Sequence, residues 1–159
     1  MIEFTGSWTG LEGLGEEALA ELRPKAERAV MKALLLYQRE LKKTLTGKRS
    51  GRKYKVSKKG KLHIASAPGE PPAVLFGNLL KSVGVTPPKW DGNTIEGEVG
   101  IGLGVKPAGG VHDPAKTYAR RLEFGGSDSR GIYIAPRPYL EPTSIRVEPQ
   151  IEAILEGGL

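Results

Sequence analysis

A chain of 159 residues with 22 glycines and 12 prolines has room for one domain with a modest core, built from short elements joined by many loops. It has no cysteine, which excludes disulfides, thiol catalysis and thiolate metal sites and suits a reducing compartment; a histidine-based metal centre would need both His63 and His112 plus carboxylates. The net charge of +6 is unevenly spread: ten of the 24 basic residues and none of the 18 acidic ones fall between Leu41 and Gly69, so the cationic character is local.

No apolar run reaches the 18 residues of a membrane span, and the opening MIEFTGSWTG lacks the charged-then-apolar pattern of a signal peptide. Ile2–Trp8 alternates weakly and predicts a short strand. From Leu14 to Leu45 apolar residues recur in steps of three and four, the spacing of a helix. Pro24 interrupts this pattern. It predicts a short helix over Gly13–Leu22, a bend, and a long helix over about Pro24–Leu45 stopped by Gly47. Lys42 and Lys43 suit the negative end of that helix dipole.

Tyr54 and Val56, then Leu62 and Ile64, alternate with charges across Lys59-Gly60 and predict a weak or mobile hairpin. SAPGEPP (Ser66–Pro72) is an extended loop, and Ala73–Ser82 reads as a short helix. Val83-Gly84-Val85 and Thr94–Ile101 are strands, with Asp91-Gly92-Asn93 marking a hairpin turn. In the second strand Ile95, Gly97, Val99 and Ile101 share one face and Glu96 and Glu98 the other, as in a half-buried antiparallel strand. Pro114–Phe124 is a helix with Tyr118 and Leu122 on one side, Ile132-Tyr133-Ile134 a last strand, and Pro138–Glu156 a C-terminal helix with Leu140, Ile145, Ile151, Ile154 and Leu155 apolar. The expected fold is a single α+β domain over 1–159: a long kinked N-terminal helix packed on a small, mostly antiparallel sheet, with short helices and a C-terminal helix.

The patterns of catalysis are missing. Gly47-Lys48 and Gly60-Lys61 lack the earlier glycine of a phosphate-binding loop, and Gly100-Ile-Gly102-Leu-Gly104 is followed by Pro107 and Gly109-Gly110 instead of a helix. Glu96 and Glu98 read as a solvent face, and His112-Asp113 as a turn and helix cap. The sequence therefore predicts no enzyme and no cofactor.

The most distinctive stretch is Thr46–Lys61, TGKRSGRKYKVSKKGK. It carries Lys48, Arg49, Arg52, Lys53, Lys55, Lys58, Lys59 and Lys61 with no carboxylate. Three readings stay open: a solvated loop, a sequence-independent contact with phosphates, or a surface for an acidic partner. Tyr54 is the one aromatic in it, too few for a stacking platform on single strands. With few apolar residues to offset its ordering entropy, the run at about 46–64 is expected to be mobile in isolation.

Two further segments carry a resemblance. SAPGEPPAVLFGNLLKSV (Ser66–Val83) is similar to the pattern A-x-P-G-x-P-P-x-x-x-T-G-x-L-x-x-S-I of small neck and tail-completion proteins of long-tailed bacteriophages. YARRLEFGG (Tyr118–Gly126) followed by APRPYLEPT (Ala135–Thr143) resembles that family's second signature, and IEFTGSWTGLEGL with the kinked helix matches its layout. Phe76 stands where the family commonly has Thr, which removes a capping hydroxyl that Asn78 partly replaces; Val83 stands for the frequent Ile.

The resemblance implies a non-enzymatic subunit at the joint between a DNA-filled head and a tail. It implies assembly as a ring, six copies by the tail's symmetry, with tail-tube and head-completion or neck proteins as neighbours. The implied place is the virion, with the host cytoplasm during assembly. In a ring, copies of Thr46–Lys61 would surround a channel and meet passing DNA without sequence preference, or order against an acidic patch on a neighbour. Candidate subunit-interface residues are Arg120, Arg121, Glu123, Arg137 and Tyr139, with Glu123 expected to pair with Arg120, Arg121 or Arg137 within or across subunits. Tyr118 and Phe124 are expected in the core. The rival reading is a sequence-independent DNA-binding module, and a third is an enzyme using His112 and a carboxylate.

Overall fold

The computed structural model describes residues 15–56, 60, 62–75, 77–103, 118–127 and 130–158 in full, and residues 2–7 and 114–117 by their backbone. Its elements are β1 (Ile2–Ser7), α1 (Glu16–Thr46), β2 (Lys53–Lys55), β3 (Leu62–Ile64), α2 (Asn78–Ser82), β4 (Val83–Val85), β5 (Lys89–Asp91), β6 (Thr94–Ile101), α3 (Pro114–Phe124), β7 (Gly126–Ser127), β8 (Tyr133–Ile134) and α4 (Leu140–Glu156). The α+β architecture expected from the sequence is the one observed: a long N-terminal helix, small antiparallel sheets and a C-terminal helix.

β6 organises the main sheet. It pairs antiparallel with β1 along one edge, with Ile2 opposite Val99 and Ser7 opposite Thr94. β4 and β5 lie end to end along the other edge, Val85 opposite Val99 and Trp90 opposite Ile95. The alternation read from the sequence holds: Ile95, Gly97 and Val99 are buried against α1, while Glu96 is exposed. Gly97 is required by this contact, because a Cβ there would come within 2.6 Å of Leu34 Cδ1. α1 buries Val30, Ala33, Leu34, Tyr37, Leu41 and Leu45 between the sheet and α4, whose Val147 and Ile151 complete the core. Near the other end of α1, Trp90 of β5 donates its indole N–H to Glu27 Oε1 at 2.8 Å, and the Arg23 guanidinium stacks over the Trp90 ring.

Several boundaries differ from the expectation. α1 is one continuous helix of 31 residues with Pro24 inside it, where the sequence predicts a short helix followed by a long one. Pro24 and Ala20, whose carbonyl loses its amide partner, are both exposed, so that carbonyl is not left in a dry interior. Pro149 in α4 is accommodated the same way, with Pro149 and Ile145 both exposed. The helix expected over Ala73–Ser82 is only α2, because Gly77 at φ +78° adopts a left-handed conformation that stops helical pairing before Asn78. Phe124, expected in the core, is 72% exposed, and Ile145, among the apolar positions of the C-terminal helix, is 65% exposed. β5 and β7 have no counterpart in the sequence reading, since two or three residues give no periodicity.

Candidate functional site

The basic run begins where α1 ends, and its second cation, Arg49, is structural. The Arg49 guanidinium turns back on the helix: Nη2 donates to the carbonyls of Thr44 at 2.7 Å and Leu45 at 3.0 Å, and both Nη2 and Nε donate to Pro72 O. These are the carbonyls that a helix leaves unpaired at its C-terminus, so Arg49 acts as the cap and fastens the Pro-rich loop to α1. Burial lowers its pKa, with the Glu70 charge opposing that shift. Glu70 clamps the next turn. It accepts from Ser50 Oγ at 2.6 Å, Ser50 N at 3.1 Å and Ala67 N at 2.9 Å. These hydrogen bonds, that from the Ser50 hydroxyl first, hold its carboxyl down to about 2.

Beyond this clamp the run forms the expected hairpin. β2 pairs β3 with Tyr54 opposite His63, and the two rings meet edge to face at a centroid distance of 5.2 Å. Neither strand joins the main sheet. Lys48, Arg52, Lys53 and Lys55 are all exposed. The candidates Lys58, Lys59 and Lys61 lie outside the described residues, as do His112 and Asp113. Of the eight candidate cations, the structure therefore brings four to the surface of one hairpin and its base, and commits Arg49 to capping.

Under the hairpin runs a cleft of about 440 Å³, floored by Leu79, Tyr118 and Leu122 and walled by Tyr54, His63 and Val74. Arg137 lines its inner end. Arg137 Nη2 donates weakly to Ser66 O at 3.4 Å, and its buried Nε has no acceptor among the described residues.

The second candidate set falls on the junction of α3 and α4, and the structure separates its members. Glu123 is 5% exposed and forms no ion pair with Arg120, Arg121 or Arg137 among the described residues. It caps α4 instead. Its Oε2 accepts from Tyr139 N at 2.9 Å and Leu140 N at 3.0 Å, and its Oε1 from Glu141 N at 3.0 Å. A helix leaves four N–H groups unpaired at its start. In α4 those belong to Tyr139, Leu140, Glu141 and position 142; three go to Glu123 and the fourth does not exist, because residue 142 is proline. The carboxylate also sits at the positive end of the helix dipole.

Tyr139 is not a surface residue either: it is fully buried, with its hydroxyl directed at Ala119 O. Tyr37 donates to Leu140 O at 3.0 Å, and burial, followed by the Glu123 charge, raises the pKa of both phenols. Thr143 completes the layer, donating to Tyr139 O and sharing a hydrogen bond with Thr44 at 2.9 Å. Arg120 stays exposed, and Arg121 and Arg137 are half-buried. Gly125 ends α3 at φ +74°, where a Cβ would press on Pro136. The exposed apolar residues near this junction are Phe124, Ile132 and Tyr133.

Among the described residues no group of three or more His, Cys, Asp or Glu is placed to hold a metal, and no helix is long and apolar enough to cross a membrane. Comparison of the chain with protein-family models, with curated proteins and with solved structures finds no match.

Proposed function

We propose that this chain is a structural subunit of the head–tail joint of a long-tailed bacteriophage, a tail-completion or head–tail joining protein that assembles with copies of itself and with neck and tail-tube proteins. The observation that supports this best is how the segments resembling that family close on one another. Glu123 of YARRLEFGG caps the helix that YLEPT begins. Gly69 of SAPGEPP donates its N–H to Pro136 O, and Arg137 reaches Ser66 O. Arg49 and Glu70 then tie the same loop to the root of the basic hairpin. The signature residues thus serve as joints of a rigid body, which suits an assembly component that does no chemistry. The exposed lysines and arginines are free to meet DNA in a channel or an acidic neighbour.

The same exposed cations favour the second reading, a sequence-independent DNA-binding module. The two separate on purified monomer and on particles. A binding module holds duplex DNA tightly at moderate salt, with affinity falling steeply as salt rises. A joining subunit binds DNA weakly as a monomer, and removing its gene leaves heads and tails unjoined. Joined, infectious particles without the protein would refute the proposal. Under either reading His112→Ala retains function.

A further inference from the structure

The outward faces of α1 and α4 form a complementary pair. On α1 the exposed stripe opposite the core runs Arg28, Lys32, Leu35, Arg39, at spacings of 4, 3 and 4. On α4 the exposed stripe runs Glu141, Ile145, Glu148, Glu152, again at 4, 3 and 4. Laid antiparallel, the two match at every position: Arg28 opposite Glu152, Lys32 opposite Glu148, Leu35 opposite Ile145, and Arg39 opposite Glu141. Laid parallel, they put Lys32 against Ile145 and Leu35 against Glu148. Each stripe has one large apolar side chain in solvent, Leu35 at 45% exposure and Ile145 at 65%, and the antiparallel alignment is the one that buries them together.

The charges have little to satisfy them within the chain. Arg39 touches Glu40 at 3.2 Å, but no ion pair involves Arg28, Lys32, Glu141, Glu148 or Glu152 among the described residues. Arg146, the one basic residue of α4, turns the other way, to Glu40 O and Thr44 Oγ1 of α1. Like charges four residues apart on a helix cost about 0.2–0.5 kcal/mol a pair, and Arg28/Lys32 and Glu148/Glu152 are two such pairs. An isolated copy carries both penalties, and antiparallel contact between copies removes both. The α1 stripe also lines an open groove of about 790 Å³, together with Met31 and Leu36 and with Gln150, Ala153 and Ile154 from α4 of the same chain.

We propose that the α1 stripe of one copy receives α4 of a second copy, antiparallel and in this register. The proposal deepens the ring reading and takes from it only the expectation that copies associate. A contact between two different faces continues head to tail into a ring, whereas two copies that exchange both contacts at once stop at a dimer.

The chain has no cysteine, so single cysteines report the contact cleanly. A Leu35→Cys chain mixed with an Ile145→Cys chain under mild oxidation at low salt should give the mixed disulfide. Adding Arg28→Glu and Lys32→Glu to the first chain should slow it about tenfold, and Glu148→Lys and Glu152→Lys on the second should restore it. All these positions are exposed, and circular dichroism checks that each variant is folded. Absence of the mixed disulfide, disulfides between like chains at an equal rate, or a rate indifferent to the reversals would each overturn the contact. Light scattering on the wild-type protein gives a separate answer: a mass that stops at two copies keeps the contact and contradicts the ring. A protein found in the neck of particles despite a failed cross-link keeps the proposed function and loses this contact.

Discussion

Replacing Glu123 by glutamine removes one charge and leaves the shape of the side chain nearly unchanged, so it isolates the carboxylate's work at the head of α4. Two of the three amides, Tyr139 and Leu140, share Oε2, and a glutamine carbonyl placed there keeps both. Its NH₂ group then faces the Glu141 N–H, donor against donor. Leaving that amide unsatisfied costs about 1–3 kcal/mol. Losing a negative charge from a partly buried helix N-terminus costs about 0.3–2 kcal/mol more. The sum is about 1–5 kcal/mol, and for a chain of this size 3 kcal/mol lowers the melting temperature by about 6–12 °C. Glu123→Ala strands all three amides and should cost about 3–5 kcal/mol. Urea titration followed by circular dichroism measures the loss, and hydrogen exchange should show it concentrated at Tyr139–Glu141. A Glu123→Gln protein within about 0.5 kcal/mol of wild type would refute the capping argument.

Arg49→Ala should cost about 1–2 kcal/mol and fray the end of α1, while Lys53→Ala and Lys55→Ala stay within about 0.5 kcal/mol in the same denaturation assay. The Glu70 carboxyl titrates lower in the folded chain, at about 2, than its ordinary 4.5. Its contribution is therefore complete above pH 4.5 and disappears as the pH falls towards 2. The stability gap between wild type and Glu70→Gln should close over that window; a constant gap would mean that the Ser50 and Ala67 contacts do not depend on the charge. Gly97→Ala forces a methyl group against Leu34 and should destabilise by about 1–3 kcal/mol, seen as a lower urea midpoint.

What could be read from the sequence was local. The alternation in Thr94–Ile101 gives β6 and its buried face, and Pro114 at a first turn with Tyr118 and Leu122 on one side gives α3. The basic hairpin follows from alternation about Lys59-Gly60. What was missed depends on distant partners. Pro24 breaks a helix by propensity, yet it lies on an exposed face near the start of α1, before the buried stripe that begins at Ala26. Arg49 and Glu123 look like any surface charge until the chain brings α1's last carbonyls to one and α4's first amides to the other, 16 to 18 residues on in the latter case. A signal for Glu123 did exist: α4 starts at Tyr139 without a capping side chain of its own and has proline at 142, so its amides needed an acceptor from elsewhere. Ile145 is apolar like the core positions of α4, although on the helix it falls among the glutamates and is exposed.

Electron cryo-microscopy of intact particles, with and without the gene for this chain, tests the central claim most directly. The account predicts density for this α+β fold in a closed set of copies between head and tail, and separated heads and tails when the gene is removed. Particles that join and hold no such density in the neck would contradict it.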